Sequence, residues 1–184
     1  IGTKFGAPAG PDDRNGSRAR VMADVDASLT ALGTDHIDLL QMHYRDPHTP
    51  IAETLGALSD LVAVGKVRHV GCSNFTGWQI ADAAWTAREA GLTPFVSLQN
   101  EWSLLERGIE TEVNGACAHF GLGVLPYFPL ASGMLTGKVA RGSEAPADSR
   151  LSLSWFASAL TEANFDRVER VTAWAEAHGR TLHE

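Results

Sequence analysis

The chain has 184 residues, 44% hydrophobic and 20% charged, with a formal net charge of −7. This size and balance belong to a folded globular protein and exclude a disordered or fibrous one. No basic block offers a footprint for nucleic acid or an anionic membrane surface, and no run approaches the roughly 20 apolar residues of a membrane span.

Read for period, short apolar runs alternate with longer amphipathic stretches, the pattern of βα units and a parallel sheet. In chain order this predicts strands at IGTKF (1–5), HIDLLQMH (36–43), VRHVGCS (67–73), FVSLQ (95–99) and GVLPYF (123–128). Helices are expected over 17–32, 50–64, 77–90, 106–120 and 161–178. Pro50 and Gly77 stand near helix starts, while Gly33, Gly65, Gly91, Gly121 and Gly179 stand near helix ends. The Gly/Pro/Ser-rich stretch 138–152 reads as a long surface loop within one domain. The opening IGTKFGAPAG has no apolar core of a signal peptide, so a cytoplasmic setting is the default. Cys72 and Cys117 have no partner at metal-ligand or CxxC spacing and are expected to be reduced and buried.

Familiar motifs fail on inspection. GLGVLP (121–126) has Pro126 where a dinucleotide fingerprint needs its third glycine, and it leads into a strand. SGMLTGKV (132–139) resembles a P-loop, but Val139 stands where a metal-binding hydroxyl is required. The seven histidines form no metal-ligand pair. What remains is a pattern at the strand ends: Lys4, His43, Ser73 with Asn74, Gln99 and Tyr127. In parallel α/β folds the carboxyl ends of strands carry the chemistry, so these polar groups point to a pocket at one mouth of a sheet or barrel.

The ordered set TKFG, ASLTALGTDHIDLLQMH, GKVRHVGCSNF, LQNEWSLLER and PYFPLASGMLTGK resembles the aldo-keto reductases over nearly the whole chain. The resemblance implies an α/β fold, a (β/α)8 TIM barrel of which five βα units are present. It also implies hydride transfer between NADPH and an aldehyde or ketone, with NADP as cofactor and NAD left open. Lys4 and His43 then match the lysine and histidine of the family's Asp, Tyr, Lys, His tetrad. Ser73, Asn74 and Gln99 match the residues that hydrogen-bond the nicotinamide carboxamide, and Tyr127 matches the ring that stacks on it. The loop from Phe128 to Lys138, with Pro129, Leu130, Ser132 and Gly133, is similar to the one covering the cofactor pyrophosphate.

The family's catalytic tyrosine and aspartate belong upstream of TKFG, and its last strand belongs beyond GRTLHE. Five units in 184 residues also fall short of the roughly 250 of a whole barrel. The expectation is therefore a barrel truncated at both ends, with weak or no turnover of its own. Tyr44 follows His43 directly and, if the strand runs on, points away from the barrel interior. Two other readings stand beside the reductase: a Schiff-base aldolase using Lys4, and a non-catalytic nicotinamide-cofactor-binding subunit. A small carbonyl substrate is expected, with no nucleic acid and no membrane partner.

Overall fold

The computed structural model describes all residues except 8–14, 144–146, 148, 154–155, 157–158 and 183–184. Parts of the expected 138–152 loop thus lie outside the described residues. The chain forms two compact units, one comprising 1–100 and 109–125, the other 101–108 and 126–184.

The first unit is built on five parallel strands: β1 (Gly2–Phe5), β2 (Ile37–Met42), β3 (Val67–Ser73), β4 (Ser97–Gln99) and β5 (Gly123–Val124). Each strand lies beside its predecessor, in the order β1-β2-β3-β4-β5. A doubly wound sheet reverses order at a switch point; this one never does, as in successive strands of a (β/α)8 barrel. The connecting helices are α1 (Arg18–Leu32), α2 (Ile51–Ala63), α3 (Gly77–Ala90) and α4 (Val113–Phe120).

Side chains alternate across a strand, so the register sorts the sheet into two faces. Phe5, Met42, Cys72 and Leu98 stand in one row, each 0–1% exposed. They form the core with helix residues such as Val21, Val25, Leu55, Leu58 and Ile80. The neighbouring row reads Lys4, Gln41, Gly71, Ser97 and Gly123. Apolar burial thus orients the sheet, and the polar residues fall together on the other face. Both cysteines are free and buried, as expected.

Helix boundaries follow local chemistry. Ser17 caps α1, its hydroxyl accepting from the Arg20 N–H at 3.4 Å. The Thr76 N–H ahead of α3 donates to Gln79 Oε1 at 3.0 Å. α4 begins later than expected: a 3-10 turn at Gly108–Glu110 precedes it. β5 is shorter than expected because Pro126 has no N–H to continue a ladder.

The second unit is organised around α5 (Glu162–Ala177). Its buried Phe165 and Val168 pack with Ala131, Met134, Leu135, Val139 and Leu151. Arg141 binds Glu162, Asp166 and Glu169 along one exposed face of α5, with 3.0 Å to Glu169, and sits 5.7 Å from the centre of the Phe165 ring. Among the described residues no helix is long and apolar enough to cross a membrane.

Candidate functional site

In the first unit, register places Lys4 directly beside Gln41. His43 lies two residues beyond Gln41, and its N–H donates to the Phe5 carbonyl at 3.0 Å, extending the ladder. Ser73 and Gln99 are paired across β3 and β4 two residues beyond Gly71 and Ser97, on the same face. Strand register thus brings Lys4, Ser73 and Gln99 to one face, and the bond to the Phe5 carbonyl carries His43, just past the end of β2, to the same end of the sheet.

Hydrogen bonds then lock the strand ends. The Ser73 hydroxyl donates to the Gln99 carbonyl at 2.6 Å. Asn74 holds a left-handed backbone (φ 59), and its Nδ2 donates to the His43 carbonyl at 3.0 Å and to Ser73 Oγ at 3.2 Å. Its own N–H donates to Asn100 Oδ1 at 2.6 Å, while Asn100 Nδ2 reaches the Phe75 carbonyl at 3.0 Å. A non-glycine residue in that region is uncommon and marks a position that its surroundings over-determine. Gln99 Oε1 is buried and finds no hydrogen-bond partner among the described residues.

Burial pushes the His43 imidazole below its ordinary pKa, and the positive charge of Lys4 pushes it further. At neutral pH the ring is uncharged and keeps one N–H to donate. β2 ends at Met42, so strand alternation does not reach Tyr44. Its ring stacks on His43, with centroids 4.6 Å apart and planes at 27°.

In the second unit, Tyr127 bridges to Glu101 in a parallel pairing and meets Phe128 edge-on at 5.2 Å. The backbone then turns sharply. Phe128 (φ 49), Ala131 (φ 48), Ser132 (φ 57) and Gly133 (φ 114) all adopt positive φ. Phe128, Pro129, Leu130, Ser132, Gly133, Thr136 and Arg150 line a cavity of about 310 Å³. Lys138 is exposed at the end of this loop and does not line the cavity. Within the turn the Ala131 and Gly133 N–H groups donate to the Phe128 and Leu130 carbonyls at 2.7 and 2.9 Å, and Arg150 is the cation on the cavity wall.

Sequence reading missed Arg150, which stands 22 residues beyond the expected loop core of Phe128 and has its guanidinium 5.7 Å from that ring. It also missed Asp46, which is 2% exposed. Asp46 accepts from the Gly16 N–H at 2.9 Å, the His48 N–H at 2.8 Å and the Thr49 hydroxyl at 2.5 Å. Burial opposes its charge, but these bonds together outweigh burial and hold the carboxyl below its usual range. Its task is to pin the segment before α1 to the segment after β2. A cue was present in Asp46 followed by Pro47 and, three residues on, Thr49, a turn-forming sequence. Glu101, by contrast, is raised by burial and by Glu106, and it lines a cavity of about 640 Å³ with Ser103, Asn164 and Arg167.

Residues 1–184, the whole chain, match the Aldo/keto reductase family. The chain belongs to that family. It is 39% identical over 166 residues to the aldo-keto reductase dtxS3 of Metarhizium robertsii, covering 89% of this chain and 44% of that protein. It is 36% identical over 179 residues to the uncharacterized oxidoreductase YrpG of Bacillus subtilis, covering 92% and 55% respectively. A putative aryl-alcohol dehydrogenase of Schizosaccharomyces pombe shares 39% over 128 residues, 70% of this chain and 36% of the relative. The chain spans about half the length, or less, of these relatives. As a member of the aldo/keto reductase family, whose fold is the TIM barrel, it carries a parallel five-stranded sheet with helices that is an incomplete α/β barrel.

Proposed function

We propose that this aldo/keto reductase chain carries the nicotinamide subsite and the lysine–histidine half of the catalytic group of a reductase that acts on aldehydes or ketones with NADPH, NAD being the alternative cofactor. The observation that carries the reading is the shared face of Lys4, Ser73 and Gln99, with His43 at the same end of the sheet and Gln99 Oε1 buried and without a partner among the described residues.

A carboxamide offers two N–H donors and one acceptor. Gln99 Oε1 supplies the acceptor, and Ser73 and Asn74 frame it from the adjacent strand end. In the second unit, the roles that family resemblance gives to Tyr127, as a stacking ring, and to the turn through Phe128, Pro129, Leu130, Ser132 and Gly133, as a pyrophosphate loop, remain assignments by sequence. The bound cofactor supplies the hydride. The protein's part is charge control as negative charge grows on the carbonyl oxygen. Neutral His43 donates a hydrogen bond to that oxygen, and the Lys4 ammonium stabilises the developing anion and lowers the pKa of any phenol beside it. Of the two phenols of this chain, Tyr44 stacks on His43 and Tyr127 is read as the nicotinamide-stacking ring, and we assign no proton donor. The relatives described as putative aryl-alcohol dehydrogenases make an aromatic aldehyde the first substrate to test.

The test pairs binding with turnover. NADPH should bind saturably, read by quenching of tryptophan fluorescence, while its oxidation with benzaldehyde stays at or near background. Absence of saturable binding would remove the cofactor reading. Brisk turnover abolished by Lys4→Met would show that the catalytic group is complete in these residues.

A further inference from the structure

Helix α5 carries a second stripe besides the acidic one bound by Arg141. Arg167, Arg170, Val171 and Trp174 recur at the i, i+3, i+4, i+7 spacing that keeps side chains on one helical face. With segment 104–108 of the same unit they line a groove of about 840 Å³, a size that suits a small organic ligand. Its walls are apolar and open to solvent: Leu104 is 59% and Trp174 64% exposed, and Leu105 and Val171 are half-buried. Exposed apolar surface that meets in a concave, polar-rimmed patch marks a binding site. The indole is braced on its own helix, since the His178 ring lies 4.3 Å away at 31° and His178 Nδ1 donates to the Trp174 carbonyl at 2.7 Å.

The charged groups of the groove are mostly of one sign. Arg107, Arg167 and Arg170 line it against a single carboxylate, Glu106, whose Oε1 already accepts from the Gly108 N–H at 2.9 Å. Three of the chain's 15 lysines and arginines thus gather on one groove of a chain whose net charge is −7. Arg167 Nη1 donates to the Leu105 carbonyl and to Asn164 Oδ1, both at 3.3 Å, which ties the helix to the facing segment. Arg170 makes no hydrogen bond or ion pair among the described residues, so its planar fork is free to close on an oxyanion.

We propose that this groove is a second ligand site, taking an aromatic carboxylate whose flat ring lies against Trp174, Leu104 and Leu105 and whose anionic head pairs with Arg170 and Arg167. A neutral aromatic ligand would leave the guanidinium groups unused, and a cationic one would meet three like charges. None of the residues proposed for the cofactor or for catalysis lines the groove, so it and the nicotinamide subsite are tested separately.

The test titrates the chain calorimetrically with 2-naphthoate, with neutral 2-naphthylmethanol and with cationic 2-naphthylmethylamine. The carboxylate should bind one-to-one, and the other two about tenfold or more weakly. Arg170→Gln should weaken 2-naphthoate about three- to tenfold and leave 2-naphthylmethanol unchanged, whereas Trp174→Ala should weaken both. Both side chains are exposed, so the variants should melt close to wild type. No saturable binding of 2-naphthoate, equal affinity for the three probes, or binding that neither substitution touches would overturn the proposal, the last by placing the carboxylate elsewhere on the chain. Sedimentation velocity of the free chain supplies one more outcome: self-association that Trp174→Ala abolishes would overturn it as well, because a second copy would then fill the groove.

Discussion

The two units position functional groups by different means. In the first, strand register aims Lys4, Ser73 and Gln99, the bond to the Phe5 carbonyl carries His43 to the same end of the sheet, and Asn74 is the one non-glycine residue described there with positive φ. In the second, the backbone itself bends: Phe128, Ala131 and Ser132 all lie in the left-handed region, beside Gly133. A regular sheet presents side chains in rows, which suits a directional task such as hydrogen-bonding an amide. The turn closes on itself, with the Ala131 and Gly133 N–H groups bonded to the Phe128 and Leu130 carbonyls.

The contrast can be broken at its stiffest point. Gly71→Ala forces a Cβ to 2.9 Å from the Ser97 carbonyl oxygen as well as onto its hydroxyl, and backbone cannot step aside. A loss on the order of 1–3 kcal/mol is expected in urea unfolding. A cost near zero would mean that the sheet is softer than its register implies. Next in size is Asn74→Ala, which removes the bonds to the His43 carbonyl and Ser73 Oγ and leaves an alanine at φ 59. About 1–2 kcal/mol should be lost, with NADPH binding weakened more than the melting temperature is lowered.

Smaller still is an electrostatic effect confined to the first unit. Removing the charge in Lys4→Met should raise the His43 pKa part of the way toward its ordinary 6.5, since burial, the larger cause, remains. NMR titration of the imidazole reads this directly. The sign of the linkage follows: with the folded pKa below 6.5, the unfolded chain binds more protons just below that pH. His43 therefore contributes stability above pH 6.5 that is lost as pH falls through its folded value, and the variant should lose less of it. The smallest effect belongs to the second unit. Arg141→Ala breaks an exposed ion cluster on α5, so its effect on melting should be slight and should vanish in high salt. A large, salt-independent drop would mean that stacking on Phe165, not charge, holds this segment.

What sequence could show follows the same division. Helix α3 matches its expected span of 77–90 at both ends, because an N-cap and a terminal glycine bracket a clear period. The start of α4 was misplaced. The Ser103 hydroxyl accepts from the Leu105 and Glu106 N–H groups at 3.1 and 3.0 Å, and Glu106 Oε1 accepts from Gly108 N–H at 2.9 Å. Side chains that satisfy backbone donors locally compete with a helix, and periodicity is blind to that. Likewise Lys4, His43, Ser73 and Gln99 were legible as strand ends. The placement of Gln41 and Ser97 was not: mid-strand polar residues reveal themselves only when register sets them on either side of Gly71. Arg150 was hidden for another reason, since no sequence period connects a loop residue to the cavity that it lines.

Asn74 ties the two halves of the first-unit site into one fixture. Its Nδ2 reaches both the Ser73 hydroxyl, proposed for the cofactor, and the backbone of the histidine proposed for chemistry. Changes at Asn74 and His43 should therefore be epistatic, their joint effect departing from the sum of the two. For a lineage drifting in sequence, that makes positions 43, 73, 74, 99 and 100 a single unit of inheritance, free to change together and constrained when they change alone.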